Sequence, residues 1–256
     1  MQAKTVWGAA TDVGKRRNVN EDTYLTVFPI FLVADGMGGY TAGDVASRII
    51  ADEFSILKSR NIVHAADLQQ CFKNASLKMK AQLGRQRGGT TVAGVAVSQR
   101  GGLPCWLVFN IGDSRVYRYA RNQIVQLTND HSVVQELIDN NVITPEQALT
   151  HNERNVVTRA VDTDHEPNVD YWWLPLRAAE RIIICSDGLV DELSDEKIAL
   201  ELSLNSDCQQ VAERLVALAV ENGGRDNVTV VVIDVIEEES EDDHDTRPGN
   251  HVIGGM

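Results

Sequence analysis

The sequence predicts an α+β protein in which antiparallel sheets carry helices on their outer sides. Strand-type runs outnumber helical ones, and they follow one another directly instead of alternating with helices, which argues against a doubly wound parallel sheet. Two of these runs, "VFPIFLVADG" and "RIIICSDG", are continuously apolar, as strands buried on both faces are.

In chain order, "TVWGAAT" and "YLTVFPIFLVA" have strand composition. "TAGDVASRIIADEFSIL" follows as a helix. Thr41 is its expected cap, Asp44 stands at the capping-box position, and Val45, Ile49 and Ile50 share a face. "AADLQQCFKNASLKMKAQL" reads as a second helix, with Leu68, Cys71, Phe72, Ala75 and either Leu77 or Met79 on one side. "TTVAGVAVSQ" and "CWLVFNI" are strands. "NIGDSRVYRY" reads as a hairpin turning on Gly112-Asp113, and "QIVQLT" extends that meander. Residues 132 to about 155 read as two short helices joined by "NNVITPEQ". "DYWWLPL" and "RIIICSDG" return to strand. "SDCQQVAERLVALAVENGG" is a helix capped by Ser206, packed through Val211, Leu215 and Leu218, and stopped by Gly223-Gly224. "NVTVVVIDVI" is the last strand. A single domain over 1–236 is expected, followed by an acidic, disordered tail over 237–256, where residues 237–245 hold seven acids.

The apolar fraction of 43% and charged fraction of 24% are those of an ordinary globular chain. A net charge of −13 argues against non-specific binding to nucleic acid or to an anionic membrane. Cys71, Cys105, Cys185 and Cys208 lack C-x-x-C spacing, so buried free thiols in a reducing compartment are expected in preference to structural zinc. No secretory h-region and no membrane-length apolar run is present, so a cytoplasmic protein is expected.

Five stretches place an acid at a strand end or turn: "NED" (Glu21, Asp22), "ADG" (Asp35), "IGDSR" (Asp113), "CSDG" (Asp187) and "GGRDN" (Asp226). Each alone is a routine turn. Together, at the ends of buried strands, they would repel one another and suffer desolvation. Few basic residues neighbour them, so divalent cations are the remedy, and all-oxygen ligands suit Mg²⁺ or Mn²⁺. Gly36 would let its carbonyl approach such an ion with no side chain in the way.

The order of "TDVGKRRNVNED", "ADGMGG", "GGTTVAG", "NIGDSR", "LTNDHS", "NVVTRAV", "CSDGLVDEL" and "GGRDNVTVVVI" resembles the metal-dependent protein phosphatases (the protein phosphatase 2C type) in their bacterial form, from residue 7 to about 234. The resemblance implies a four-layer αββα sandwich, two antiparallel β-sheets flanked by helices. It implies two Mn²⁺ or Mg²⁺ ions, with Asp35 bridging them and the Gly36 carbonyl on one. Asp187 and Asp226 would hold the other, and Glu21 and Asp22 would act through bound waters. Asp113, with Asp187, matches the place of a third, weaker metal. Arg17 matches the phosphate-binding arginine; by spacing alone it would be a solvated charge. The implied activity is that of a serine/threonine phosphoprotein phosphatase using a metal-activated water and no phosphoenzyme. Its partners would be phosphorylated Ser/Thr proteins and a cognate Ser/Thr kinase, and a monomer is expected.

Some positions depart from that pattern. Met37 stands where many eukaryotic members have a histidine proposed as general acid, and it cannot donate a proton. His131 is a polar candidate for that role, with a structural role as the simpler reading. Tyr40, Asp44 and Asp162 replace residues common in bacterial relatives. Residues 133–155 match a variable flap beside the active site, or are a plain surface hairpin. Of Trp172 and Trp173, one is expected to face the core. A fold that had lost catalysis, or a hydrolase of small phosphate esters, are the competing readings; all expected acids being present disfavours the first.

Overall fold

A computed structural model describes residues 4–38, 42–84 and 86–236. Gly39, Tyr40, the expected cap Thr41 and the acidic tail lie outside the described residues.

Twelve described strands form two sheets. A five-stranded sheet has the order β1 (Lys4–Asp12), β12 (Val228–Ile236), β11 (Arg181–Cys185), β7 (Arg115–Ala120), β8 (Gln123–Gln126). The seven-stranded sheet is centred on β3 (Ile30–Gly38). One edge of β3 takes β2 (Asp22–Val27). The other takes β5 (Val92–Arg100), and then β4 (Gly88–Thr90) farther along. Beyond β5 lie β6 (Leu103–Ile111) and β10 (Asp170–Pro175), and β9 (Val161–Asp162) borders β4. Every pairing is antiparallel.

Side-chain alternation builds the layers. Along β3, Phe31 and Val33 enter the core between the sheets, where they meet Trp106, Ile182, Ile184, Val231 and Ile233. Ile30, Leu32 and Ala34 point the other way, against α1 (Ala42–Ser55) and α2 (Ala65–Leu83). On the second sheet Ile183, Cys185, Val230 and Val232 meet α6 (Asp195–Leu204) and α7 (Cys208–Asn222). Both strand faces are buried, which is why the sequence runs read as continuously apolar. The four layers are helix, sheet, sheet, helix, and all four cysteines are buried free thiols. Among the described residues no helix is long and apolar enough to cross a membrane.

Several local expectations are corrected. The run 24–34 is two strands, β2 and β3, broken at Phe28-Pro29. In α2 the core residue is Met79, whereas Leu77 is exposed. "NIGDSRVYRY" is not a hairpin. Strand β6 belongs to one sheet and β7 to the other, so Gly112-Asp113 is a crossover between the layers. Gly112 bends there with φ 111°. The two-residue hairpin lies instead between β7 and β8, where Arg121 and Asn122 adopt φ 51° and 61°, the primed turn that suits strand twist. Of the two short helices, α3 (Val133–Asp139) forms as expected. The single turn α4 (Pro145–Ala148) lies inside the expected linker, set by a capping box of Thr144 and Gln147. The cap of α7 is Asp207, which accepts from Gln210 N at 2.8 Å, and not Ser206. Helix α6 was not expected from the pattern, although Ser194 caps it and Ile198 and Leu202 share a buried face.

Phe31 is fully buried between the sheets, edge-on to Trp7 and Trp106. Phe31→Ala should lower unfolding free energy by about 3–5 kcal/mol, read from urea denaturation. A loss below about 1 kcal/mol would contradict a close-packed layer between the sheets.

Candidate metal centre

The strands deliver their acids to one end of the sandwich. Asp22 and Asp35 are direct cross-strand partners on β2 and β3. Asp187 opens the short helix α5 (Asp187–Val190) just past β11, and Asp226 lies just before β12. Asp113 sits on the crossover between the sheets. The two sheets are bonded together at this point. Ser186 Oγ and Thr229 Oγ1 both donate to Asp22 Oδ2, at 2.8 and 2.7 Å. That leaves Asp22 Oδ1 buried without a partner, and Glu21 Oε1 and Asp187 Oδ1 share the condition.

Motif residues also fix the backbone. Thr91 N donates to Asp35 O at 2.9 Å, as does Thr90 Oγ1, while Asp35 N donates to Thr91 Oγ1 at 3.3 Å. Thr91 Oγ1 and Ser114 Oγ bond at 2.7 Å, joining "GGTT" to "GDSR". Gly36 earns its place by close packing: a Cβ there would lie 2.3 Å from Gly43 O and 2.6 Å from Glu21 O. Glu21, Arg17, Asp226 and Asn227 form the rim, with Arg17 Nη2 donating to Asp226 Oδ2 at 2.6 Å.

Electrostatics follow from this crowding. Burial, then the charges of Asp22, Asp187, Asp113 and Asp226, hold the Asp35 carboxyl well above its ordinary pKa. Asp187 is raised likewise, by burial and then Asp113, Asp191 and Asp226. Burial pushes Asp22 up to about 6 and Asp113 up to about 7. Glu21 is raised as well, chiefly by burial. The cluster therefore lacks positive charge, because Arg17 answers only part of it.

Among the described residues no three His, Cys, Asp or Glu side chains converge as a ready-made cage. The acids are near enough to raise one another's charge cost, and Asp113 and Asp187 open on a cleft. Mg²⁺-type ions keep several waters and need only a few direct carboxylates, so buried, unpaired oxygens suit them. Three orphaned carboxylate oxygens in a region of unopposed negative charge fit divalent cations.

The residues predicted from sequence, Arg17, Glu21, Asp22, Asp35, Gly36, Asp113, Asp187 and Asp226, are thus brought together. Asp191 was missed. It borders the same cleft and raises both Asp113 and Asp187. Its spacing of four from Asp187 within "CSDGLVDEL" was the available signal. His131 has the structural role: Nδ1 accepts from Gly112 N at 3.1 Å, so the ring proton sits on Nε2, 3.1 Å from Asp170 Oδ2. Burial lowers its pKa. Trp172 packs on the inter-sheet core, and Trp173 lies outside under Arg100, 5.0 Å from the ring centroid. Asp162 closes a local turn by accepting from Asp164 N and His165 N.

A cleft of about 500 Å³ adjoins the acids. Asp113, Asp187 and Asp191 form one wall, and Val134, Ile138, Ala148 and Leu149 of the 133–155 hairpin form the other. A larger groove of about 870 Å³ lies at the other end of β11, lined by Arg121, Glu180 and Ser206, and touches none of the predicted site acids. Of the two, only the smaller cleft is lined by predicted site acids, Asp113 and Asp187.

The chain belongs to the protein phosphatase 2C family, whose model matches residues 17–222. It is 34% identical over 238 residues to the serine/threonine protein phosphatase PstP of Mycobacterium tuberculosis, covering 90% of this chain but 45% of that protein. The chain thus spans less than half of that relative's length. It is 31% identical to the serine/threonine phosphatase stp of Listeria welshimeri, covering 88% of this chain and 93% of that one. The crystal structure of the Mycobacterium tuberculosis phosphatase PstP/Ppp superposes with a TM-score of 0.85 at 33% identity, covering 91% of this chain and 99% of that one. The PstP catalytic domain in complex with two manganese ions gives a TM-score of 0.79 at 33% identity, again covering 91% and 99%.

Raised carboxyl pKa values make folding favour the protonated acids. Their stabilising contribution is complete below the unfolded value of about 3.9 and is lost as pH rises through about 6 and 7 for Asp22 and Asp113, with Asp35 and Asp187 adding in the same direction. The depressed His131 acts oppositely, its contribution being complete above about 6.5 and lost as pH falls through its lowered value, but it is one group against the raised carboxyls of the cluster. In chelator, Tm should fall by several degrees between pH 5 and pH 8, and millimolar Mn²⁺ should restore it at pH 8. A metal-free Tm that climbs over that interval, with no response to Mn²⁺, would contradict the cluster's electrostatics.

Proposed function

We propose that this chain is a Mn²⁺- or Mg²⁺-dependent phosphatase that hydrolyses phosphoserine and phosphothreonine in proteins, reversing a bacterial Ser/Thr kinase in the cytoplasm. The observation that carries this is the set of buried, unpartnered oxygens of Glu21, Asp22 and Asp187 in one charge-deficient centre. Family membership and the manganese-bound relative support it.

In this reading Asp35, Gly36 through its carbonyl, Asp187 and Asp226, with Glu21 and Asp22 less directly, would hold two cations, and Asp113 and Asp187, joined by Asp191, would hold a third. The cations supply Lewis acidity, polarising phosphoryl oxygens and activating water near neutral pH. The chain's own part is placement. Asp22 is locked by Ser186 and Thr229, so that only its Oδ1 is free to face the centre. Thr90 and Thr91 clamp the main chain of Asp35. Arg17, exposed and already at the rim, offers a planar fork that matches two phosphate oxygens. Its bond to Asp226 shows that the side chain reaches the acids. Buried thiols, with Cys71 raised to about 11 and Cys185 to about 12, are poor nucleophiles and take no part. His131 is committed to Gly112 and Asp170, so it is not the leaving-group acid, and Met37 has no proton to give. The adjacent cleft is large enough for residues flanking a phosphorylated side chain, which supports a polypeptide over a small ester. We assign residues 1–236 to the phosphatase domain and 237–256 to an acidic C-terminal segment outside it. The enzyme acts as a monomer.

Phosphate release from a phosphothreonine peptide should require added Mn²⁺ or Mg²⁺ and stop with EDTA. Asp35→Ala should reduce kcat/KM at least about a thousandfold, the scale of removing a central electrostatic group; turnover without metal, or full activity in that variant, sinks the mechanism. Deleting residues 238–256 should leave peptide turnover within about twofold, since surface changes away from a site have small effects.

A further inference from the structure

We propose that Asn227 is the positioning residue for Arg17: its side-chain amide closes the base of the arginine loop and so fixes where the guanidinium stands. The inference rests on the phosphatase reading above.

Asn227 is 5% exposed, and its side chain uses its whole donor capacity. Nδ2 donates to Val13 O and to Val19 O, both at 3.0 Å. Oδ1 accepts from Glu21 N at 2.9 Å. Those two carbonyls bracket residues 14–18, a stretch with no helix or strand, at whose far side Arg17 stands. One amide therefore closes the base of the arginine loop and hands the chain on to Glu21.

The same residue reaches Asp226 by its main chain. Asn227 N donates to Asp226 Oδ1 at 2.8 Å while Arg17 Nη2 donates to Asp226 Oδ2 at 2.6 Å. A closed circuit runs from Asn227 through the loop to Arg17, across to Asp226 and back. The loop is tied to the same segment again by Lys15 N donating to Gly224 O at 2.7 Å. On its other side Asn227 O lies where a Cβ on Gly188 would come within 2.0 Å, so this main chain also seats the first turn of α5 that carries Asp187.

Only asparagine fits the role. Aspartate has the same shape but cannot donate to two carbonyls, and it would add another acid to a centre already short of positive charge. Glutamine has the groups but one extra methylene in a closely packed position. A direct hydrogen bond from Arg17 is not required: the residue acts by fixing where the guanidinium stands.

The test uses the full chain with Mn²⁺, para-nitrophenyl phosphate as substrate and inorganic phosphate as competing ligand. Arg17→Ala should weaken inhibition by phosphate. Asn227→Ala and Asn227→Ser should each weaken it about tenfold, the scale of a lost buried hydrogen-bond set. In the Arg17→Ala background either change should be nearly silent, because the two residues act through one interaction. Additive losses would overturn the proposal. So would folded Asn227 variants with unchanged phosphate inhibition, or a failure of every Asn227 variant to fold, which would make the residue a general stabiliser. A wild-type chain without Mn²⁺-dependent hydrolysis would instead overturn the phosphatase reading itself.

Discussion

The constraint that governs this molecule is the gathering of carboxylates at one end of a buried sandwich. Burial and the neighbouring charges of Asp22, Asp113 and Asp226 together hold the Asp35 and Asp187 carboxyls well above their ordinary range. Such a cluster is unfavourable for an isolated fold. The surrounding structure over-determines its geometry, and the uncompensated negative charge is the feature on which the proposed cation binding rests.

The scaffold meets that cost with close-packed sheets and a shell of uncharged hydrogen-bonding groups. Phe31, Trp106, Ile184 and Val231 fill the layer between the sheets, and helices cover both outer faces. At the centre, Ser186 and Thr229 reach across from one sheet to hold Asp22 on the other. Thr11 continues the chain of hydroxyls, bonding Thr229 at 2.7 Å and accepting from Asn20 Nδ2 at 2.8 Å. Hydroxyls and amides orient a carboxylate without neutralising it. Lysine or arginine in the same places would have satisfied the acids and removed any need for metal.

A buried ion pair is used only one layer away. Arg115 donates to Asp130 through Nε and Nη2 and to Tyr117 through Nη1, pinning the segment after β8 to the second sheet. Together with His131 on Gly112, it sets the crossover that carries Asp113. The same segment leads into the α3–α4 hairpin that walls the cleft. The position of Asp113 and the shape of the cleft are thereby set by one network.

Much of the site was legible in the sequence. Its acids sit beside glycines at the ends of apolar runs, and chemistry that needs oxygen ligands leaves that local mark. Alternation within Phe31–Ala34 and Ile182–Cys185 likewise encodes strands buried on both faces, and the period of Leu68, Cys71, Phe72, Ala75 and Met79 encodes a helix. These are short-range properties, fixed by neighbouring residues. What the sequence misled on was partnership. Gly112-Asp113 has the composition of a hairpin turn, yet it joins two sheets, because which strands pair is decided by how the layers pack. The orphaned oxygens of Glu21, Asp22 and Asp187, the closing of the arginine loop by Asn227, and the placing of Asp191 were decided only by tertiary structure. Each depends on residues distant in the chain meeting at one end of the sandwich, some two hundred positions apart for Glu21 with Asn227 and Asp22 with Thr229, and no local pattern carries that distance.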